Sequence, residues 1–390
     1  MNVLTIGKVV EHKIDKSIVG KIKKISIDEA GQFIYQVSKF GFFYAEDLIE
    51  QNSSEEKNFN RTVLLVGGAG YIGPIITRSL LMQGYKVKCL DLLLYSNGFT
   101  VIPFLKNSNY EFIYGDFCDP MTLEKSLAGI TDIVILAGLV GDPITKKYPE
   151  AATMINSVGI KNLINSINNR KINNVIFVST CSNYGLLKND TIADENSPLA
   201  PLSLYADAKV EIEEYLLGLR DKVDYCATIL RFATAFGLAP RMRFDLTVNQ
   251  FTYEMATAGE VLVYDADTWR PYCHVEDFAR LIDIVLRSRN DSVYFEVFNA
   301  GGDVNNFTKQ GIVELIKIEV PDSKIELSRD STDRRDYKVN FGKVQKVLGF
   351  TPKFSVKDGV QEVLVAINKS LFDLGAPPNF YKNEKISYPA

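Results

Sequence analysis

Histidine is nearly missing: His12 and His274 are the only two in 390 residues. That scarcity largely excludes a histidine-rich metal centre or a histidine-based triad, and no metal is expected. Cysteine is sparse too. Cys89, Cys118, Cys181, Cys226 and Cys273 show no C-x-x-C spacing, and several lie inside apolar runs. They read as reduced core or near-site thiols, not as a disulfide framework, and a cytoplasmic location is expected. No uninterrupted apolar run approaches the ~18 residues of a membrane span, and the first residues hold no signal-peptide core, so no membrane partner is expected. An excess of one charge is also lacking. A formal charge of −4 and a pI near 5.5 give no electrostatic reason to expect nucleic acid. With 46% hydrophobic residues the chain reads as globular, and its length exceeds the usual single core.

What is present is organised around Val63-Leu64-Leu65-Val66-Gly67-Gly68-Ala69-Gly70-Tyr71-Ile72-Gly73. Four apolar residues without alternation read as a strand buried on both faces, and the glycines after them permit a tight turn into a helix. Gly67 allows the turn, Gly70 lets backbone approach a pyrophosphate, and Gly73 lets the helix pack closely on the strand. The helix N-terminus adds unpaired N–H groups and a positive dipole end. The next strand, Lys86-Val87-Lys88-Cys89-Leu90-Asp91, ends in an acid about 20 residues on, as ribose recognition requires. Asp91 would accept from ribose hydroxyls and repel a 2′-phosphate, and Leu92 and Leu93 offer no compensating cation. NAD is therefore expected over NADP.

From residue 62 onward strands alternate with helical stretches: strands at 63–66, 86–91, 111–115, 132–136, 174–179 and 226–231, helices near 71–83, 120–128, 147–169 and 201–219. Repeated βα units with apolar strands predict an α/β fold with a doubly wound parallel sheet of Rossmann type. After about 236 the rhythm breaks into short strands, Glu260 to Tyr264 and Lys324 to Leu327, and helices near 243–258, 309–318 and 358–373. A helix from Val275 and a strand near Val297 are expected to return to the first sheet. The division expected is an N-terminal extension over 1–60, an NAD-binding domain over 61–236 with returning segments near 270–302, and a smaller, mainly substrate-binding α/β domain over 237–390. The extension carries short β-like runs at Val3 to Ile6 and Lys24 to Ile27, a mixed stretch from Phe33 to Ile49, and a polar linker at 51–58. The tail from Ala376 reads as irregular.

Chemistry collects further along. The strand Asn174 to Val178 delivers Ser179-Thr180-Cys181-Ser182 to the carboxyl edge of the sheet, where ligands of such folds gather. Tyr205 and Lys209 follow at i and i+4 on a helix, so phenol and ammonium share one face. A free tyrosine titrates near 10, too high for a base at neutral pH, but a cation beside it favours phenolate. Tyr205 could then take a proton from an alcohol while hydride leaves the same carbon, with Thr180 holding the hydroxyl and Lys209 fixing the nicotinamide ribose. A Y-x-x-x-K pair alone is common on helix surfaces; its order after a glycine-rich turn, a ribose acid and a hydroxyl-rich strand end is what gives it weight.

This order of motifs resembles the extended short-chain dehydrogenase/reductases, and within them the nucleotide-sugar epimerase/dehydratase family, over about residues 62–375. The resemblance implies pyrophosphate binding by Gly67, Gly70 and Gly73 with the amides of Tyr71 and Ile72. It implies adenine contacts by Asp116 and Phe117 in Gly115-Asp116-Phe117-Cys118-Asp119, and a small-residue wall at Ala137 and Gly138. Thr180, Tyr205 and Lys209 match the family's catalytic trio. Arg270 in Arg270-Pro271-Tyr272-Cys273-His274 and Arg335 in Asp333-Arg334-Arg335-Asp336-Tyr337 match arginines that hold a substrate diphosphate, a task suited to planar paired donors. His274, Asn156 and the Phe298-Asn299-Ala300-Gly301 strand end are implied to be structural. A nucleoside-diphosphate sugar is the implied substrate. A homodimer through the helices near 147–169 and 201–219 is implied as well, although core packing explains Leu163, Ile164, Ile167, Leu216 and Leu217 equally.

Dehydratases of this kind carry an acid pair after the threonine, where this chain has Cys181 and Ser182. That favours an NAD-dependent epimerase acting through a transient 4-keto sugar. Cys181 is a candidate acid/base beside the ketone, or a small residue filling space behind Thr180. A C4 dehydrogenase, ketoreductase or dehydratase is the alternative reading, and a non-catalytic NAD-binding scaffold a more remote one.

Overall fold

The computed structural model describes residues 61–187, 191–329, 335–372 and 378–388, together with the backbone of five strands before residue 51. The chain divides into two compact units, Met1–Asn58 and Phe59–Ala390. In the first, an antiparallel sheet runs in the order Gly41–Tyr44, Phe33–Val37, Val19–Ile27, Val9–His12, Leu48–Glu50. The expected run at Lys24 to Ile27 falls inside one of its strands, and the stretch from Phe33 to Ile49 spans three. The run at Val3 to Ile6 and the linker at 51–58 lie outside the described residues.

In the second unit seven strands, all parallel, lie in the order Glu296–Ala300, Cys226–Phe232, Asn174–Thr180, Asp132–Ile135, Thr62–Val66, Lys86–Asp91, Tyr110–Tyr114. The apolar run at its centre explains the layering. Val63 and Leu65 pack into one core layer with Ile76, Leu80 and Phe278, while Leu64 and Val66 pack into the other with Ile133, Ile164 and Leu216. Successive side chains of a strand point to opposite faces, so only a strand covered by helices on both sides needs four apolar residues in a row. The strand at Glu296–Ala300 and the helix Val275–Arg287 return to this body as the sequence predicts. Strand order reverses between Thr62–Val66 and Asp132–Ile135, and the crevice at their carboxyl ends is where open α/β sheets bind ligands.

A smaller cluster built around Phe236, Val248, Met255, Val263, Ile312, Ile316 and Val360 holds the helices Thr247–Thr257, Lys309–Glu319 and Val356–Asn368. Beside it are a three-stranded sheet of Thr234–Phe236, Trp269–His274 and Asn306–Thr308, and the pair Glu260–Tyr264 with Lys324–Ser328.

Two local readings need correction. The helix expected over 147–169 is broken: Asp142–Lys147 stops at Tyr148, Pro149 restarts the chain, and Met154–Gly159 widens into a π turn before Ile160–Ser166. Proline suits the first turn of a new helix and not the interior of an old one. The π turn carries Asn156, whose side chain takes both backbone groups of Leu139: it accepts from the N–H at 2.7 Å and donates to the carbonyl at 3.0 Å. The tail is less irregular than expected, because Pro378–Tyr381 forms a helical turn. Leu163, Ile164, Ile167 and Leu216 are buried in the core of the unit itself, so they carry no argument for an interface.

Candidate functional site

The turn after Thr62–Val66 is held by backbone geometry and by long-range bonds together. Gly67 has φ of 80°, and a Cβ there would lie 2.7 Å from Cα of Ala137. Glycine avoids both problems. Asp91 accepts from the N–H of Ala69 at 2.9 Å and of Leu93 at 2.8 Å, while Asn97 and Thr100 donate to the carbonyl of Ala69 at 2.7 and 2.9 Å. Burial pushes the Asp91 carboxyl up, against the two amides that favour its charge. The helix Gly73–Met82 begins at Ile72 without a side-chain cap. The first amides of such a helix are left to a ligand or solvent.

At the far end of the next strands, Asp116 accepts from the N–H of Cys118 at 2.8 Å and from the Tyr388 hydroxyl at 2.7 Å. Ala137, Gly138 and Leu139 follow the Asp132–Ile135 strand, with Leu139 clamped by Asn156.

The strand Asn174–Thr180 ends in a 3₁₀ turn, Cys181–Tyr184, whose Ser182 N–H donates to the Thr180 hydroxyl oxygen at 3.1 Å. With that oxygen already accepting, the Thr180 proton is free to be donated elsewhere. Ser203 caps the helix Leu204–Leu217, accepting from the N–H of Ala206 at 3.3 Å, which sets Tyr205 in the first turn and Lys209 in the second. The Lys209 ammonium donates to the carbonyl of Val178 at 2.8 Å and lies 5.8 Å from the centre of the Tyr205 ring. Burial lowers the Lys209 pKa to about 8, the Glu213 carboxylate opposing it. Burial pushes the Tyr205 phenol up; Arg243 and Arg335 pull it down, and Asp142 adds to the rise.

Beneath this pair, one turn past Lys209, Glu213 forms a buried ion pair with Arg231, at 2.9 Å to Nε and 2.7 Å to Nη2. Its other oxygen accepts from Asn183 at 2.8 Å and from Ser179. The pair ties the Leu204–Leu217 helix to two strands of the sheet, and so fixes where Tyr205 and Lys209 stand.

A cleft of about 430 Å³ runs along the carboxyl edge of the sheet. It brings together Gly67, Gly70, Tyr71, Ile72, Gly73, Asp91, Asp116, Phe117, Ala137, Gly138, Thr180, Tyr205, Lys209, Arg270 and Arg335, every expected site residue except Cys181. Cys181 is the correction. Its Sγ is 3.0 Å from the carbonyl of Arg231, it is buried behind the strand end, and burial pushes its thiol well above the ordinary range. The strand stops at Thr180, and in the 3₁₀ turn that follows Cys181 points into the core while Thr180 and Ser182 line the cleft. His274 is likewise outside the cleft, accepting from the Glu276 N–H at 3.2 Å and bonded to Glu362 at 2.7 Å. Asp333 and Arg334, quoted with Arg335, lie outside the described residues.

The sequence reading missed several lining residues. Arg241 and Arg243 come from Pro240-Arg241-Met242-Arg243, two arginines in an apolar stretch, a signal that was there to be read; Arg243 is paired with Asp245 at 2.6 and 2.7 Å. Asp142 stands 3.4 Å from Arg335, its other oxygen buried without a hydrogen-bond partner. Asn383 and Tyr388 arrive from the far end of the sequence, and no local pattern marks them.

Residues 63–301 match the model of the NAD-dependent epimerase/dehydratase family. The chain belongs to that family. Its cofactor is NAD. Among similar proteins, a dTDP-glucose 4,6-dehydratase of Streptomyces niveus is 27% identical over 321 residues, covering 77% of this chain and 91% of that one. A UDP-glucose 4-epimerase of Lactobacillus helveticus is 26% identical over 322 residues, covering 76% and 94%. Among solved structures, dTDP-glucose 4,6-dehydratase of Bacillus anthracis in complex with NAD superposes with a TM-score of 0.69 at 26% identity, covering 79% of this chain and 97% of that one. Relatives of both reaction types thus match to a similar degree. Among the described residues, no helix is long and apolar enough to cross a membrane.

Proposed function

We propose that this family member is a nucleotide-sugar epimerase that works through a transient 4-keto sugar, with Tyr205 as the base. One observation carries the reading: Thr180, Tyr205 and Lys209 meet in a single cleft with the glycine turn and Asp91, and no carboxylate follows Thr180. The turn fits a dinucleotide, because an added Cβ at Gly70 would meet only the carbonyl of Gly67, at 3.7 Å, leaving open space beyond. Bound there, NAD would supply the hydride acceptor for oxidation of the sugar carbon and the donor for its return. Tyr205 takes the hydroxyl proton of the sugar carbon being oxidised, and the Thr180 hydroxyl donates to that oxygen and holds it in line. Lys209, anchored on Val178, keeps two further protons for a ribose hydroxyl. Arg270 and Arg335 offer guanidinium forks for a diphosphate. Once the keto sugar has turned, the Tyr205 phenol gives its proton back. A homodimer is part of this reading, with Met154 and Val158 exposed on the π turn as its apolar surface.

The test is incubation of the NAD-loaded protein with UDP-, GDP-, CDP- and dTDP-hexoses, without added cofactor, followed by NMR of the product. Inversion at C4 with no net NADH is expected; accumulating NADH would make it a net oxidoreductase. A second reading, dehydration, has one observation in its favour. Asp142 offers the cleft a carboxylate oxygen with no partner of its own, and a product short of one water would assign it that role.

The cofactor half is tested apart from turnover. Gly70→Ala is expected to fold normally yet to weaken NAD at least about tenfold, ~1.4 kcal/mol, because the new methyl enters the space of the pyrophosphate. Isothermal titration checks it, and undiminished affinity would remove the turn from the cofactor site.

A further inference from the structure

The segment Pro378–Tyr388 makes little structure for itself, one helical turn and then chain without regular structure, yet it is fastened at both sides of the cleft. In the loop that leads into the helix Thr247–Thr257, the N–H of Phe244 donates to the carbonyl of Tyr381 at 2.8 Å, and the Tyr381 ring packs 5.3 Å from that of Phe244. Arg241 donates to the carbonyl of Lys382 at 3.2 Å and to the Asn383 side-chain oxygen at 3.0 Å. Asn383 then turns to the other wall, its amide donating to the carbonyl of Val140 at 3.2 Å. Lys147 donates to the carbonyl of Glu384 at 3.0 Å, Ile386 enters the sheet's own core, and the Tyr388 hydroxyl reaches Asp116. Phe380 stacks on Phe99, in the loop that follows the Asp91 strand, with ring centres 5.0 Å apart. Asn383 and Tyr388 both line the cleft.

We infer that this segment is a strap that completes the cofactor site, holding NAD in the cleft across many turnovers and releasing it only when the strap lifts. The inference rests on the cofactor reading of the cleft given above. Tyr388 acts on the adenine end: it takes one oxygen of Asp116 while the N–H of Cys118 takes the other, so the carboxylate is held in one orientation. Asn383 acts on the middle, bridging Val140, which follows Gly138 and Leu139 on the cofactor wall, to Arg241, whose guanidinium lies over the Tyr95 ring at 4.5 Å in the loop after Asp91. A strap of this kind has a meaning for the reaction class. An enzyme that returns its hydride within each turnover needs no exchange of cofactor, whereas a net dehydrogenase must release NADH every time. A resident NAD therefore belongs with epimerisation or dehydration.

The experiment measures NAD release from the holoenzyme by chasing bound NAD with an excess of its fluorescent etheno-adenine analogue. In the full-length Asn383→Ala/Tyr388→Phe variant, release is expected to quicken by about tenfold or more, since the first change removes two hydrogen bonds and the second one, all of which must break for the strap to lift. Removal of residues 378–390 should do at least as much, and hydrogen exchange at 382–388 in the intact protein should slow when NAD is bound. Release rates unchanged in both variants, with NAD still bound, would overturn the strap. If instead Gly70→Ala leaves NAD affinity intact, the placement of the cofactor fails and not the strap alone, so the two failures are told apart.

Discussion

Tyr205→Phe is expected to lower turnover by ~10²–10⁴-fold while NAD stays bound, because phenylalanine keeps the ring and removes only the group that moves the proton. Steady-state kinetics on the epimerised sugar, with NAD content read from the absorbance of the purified protein, checks both halves. Turnover within a few-fold of the unsubstituted protein would refute the assignment. The pH dependence follows from the two shifts. Burial raises the Tyr205 phenol, so its base form is gained as pH rises, and the turnover of cofactor-saturated enzyme should climb with pH. Lys209 moves the other way. Lowered to about 8 by burial, it is an ammonium below that pH and a neutral amine above it. If the charge grips NAD, affinity falls as pH rises through about 8, and Lys209→Met removes that dependence. Turnover and cofactor affinity should therefore trend oppositely with pH.

Arg231→Met is expected to cost ~3–5 kcal/mol of stability, since it leaves the Glu213 carboxylate buried without its partner. Both side chains are nearly free of solvent, at 6% and 1% exposure, so neither water nor salt can take the place of the lost guanidinium. Replacing both at once, Arg231→Met with Glu213→Leu, should recover most of the loss, because an apolar pair strands no charge. Urea unfolding of Arg231→Met, Glu213→Leu and the double variant checks the cycle; an Arg231→Met loss under about 1 kcal/mol would show that the carboxylate is satisfied by Asn183 and Ser179 alone. The same pair aligns the helix that carries Tyr205 and Lys209, so a surviving Arg231→Met protein should also lose turnover out of proportion to its NAD affinity.

The cofactor half of the cleft was legible because its signals are local. Four apolar residues in a row at 63–66, closed by glycines, read as a strand covered on both faces, Gly67 adopts a positive φ, and Asp91 ends the adjacent strand. Tyr205 and Lys209 were legible for the same reason, one turn apart on a helix opened by Ser203. Of the two readings of Cys181, the structure takes the space-filling one: the 3₁₀ turn after Thr180 buries it against the carbonyl of Arg231, a placement its site-residue neighbours in sequence do not reveal. The broken helix at 142–166 shows a tertiary need overriding a helical period: Asn156 widens the turn to satisfy both backbone groups of Leu139.

By itself, then, the sequence determined the strands, the glycine turn, the ribose acid and the tyrosine-lysine pair, since each is written in the burial or backbone demands of a few adjacent residues. Only the tertiary structure decided that Asp142, Arg243, Asn383 and Tyr388 share a cleft with them, and that Cys181 does not. The bond from Tyr388 to Asp116 joins positions 272 apart in the chain. No spacing or period encodes such a meeting; it exists because packing of the whole unit brings distant segments to one edge of the sheet.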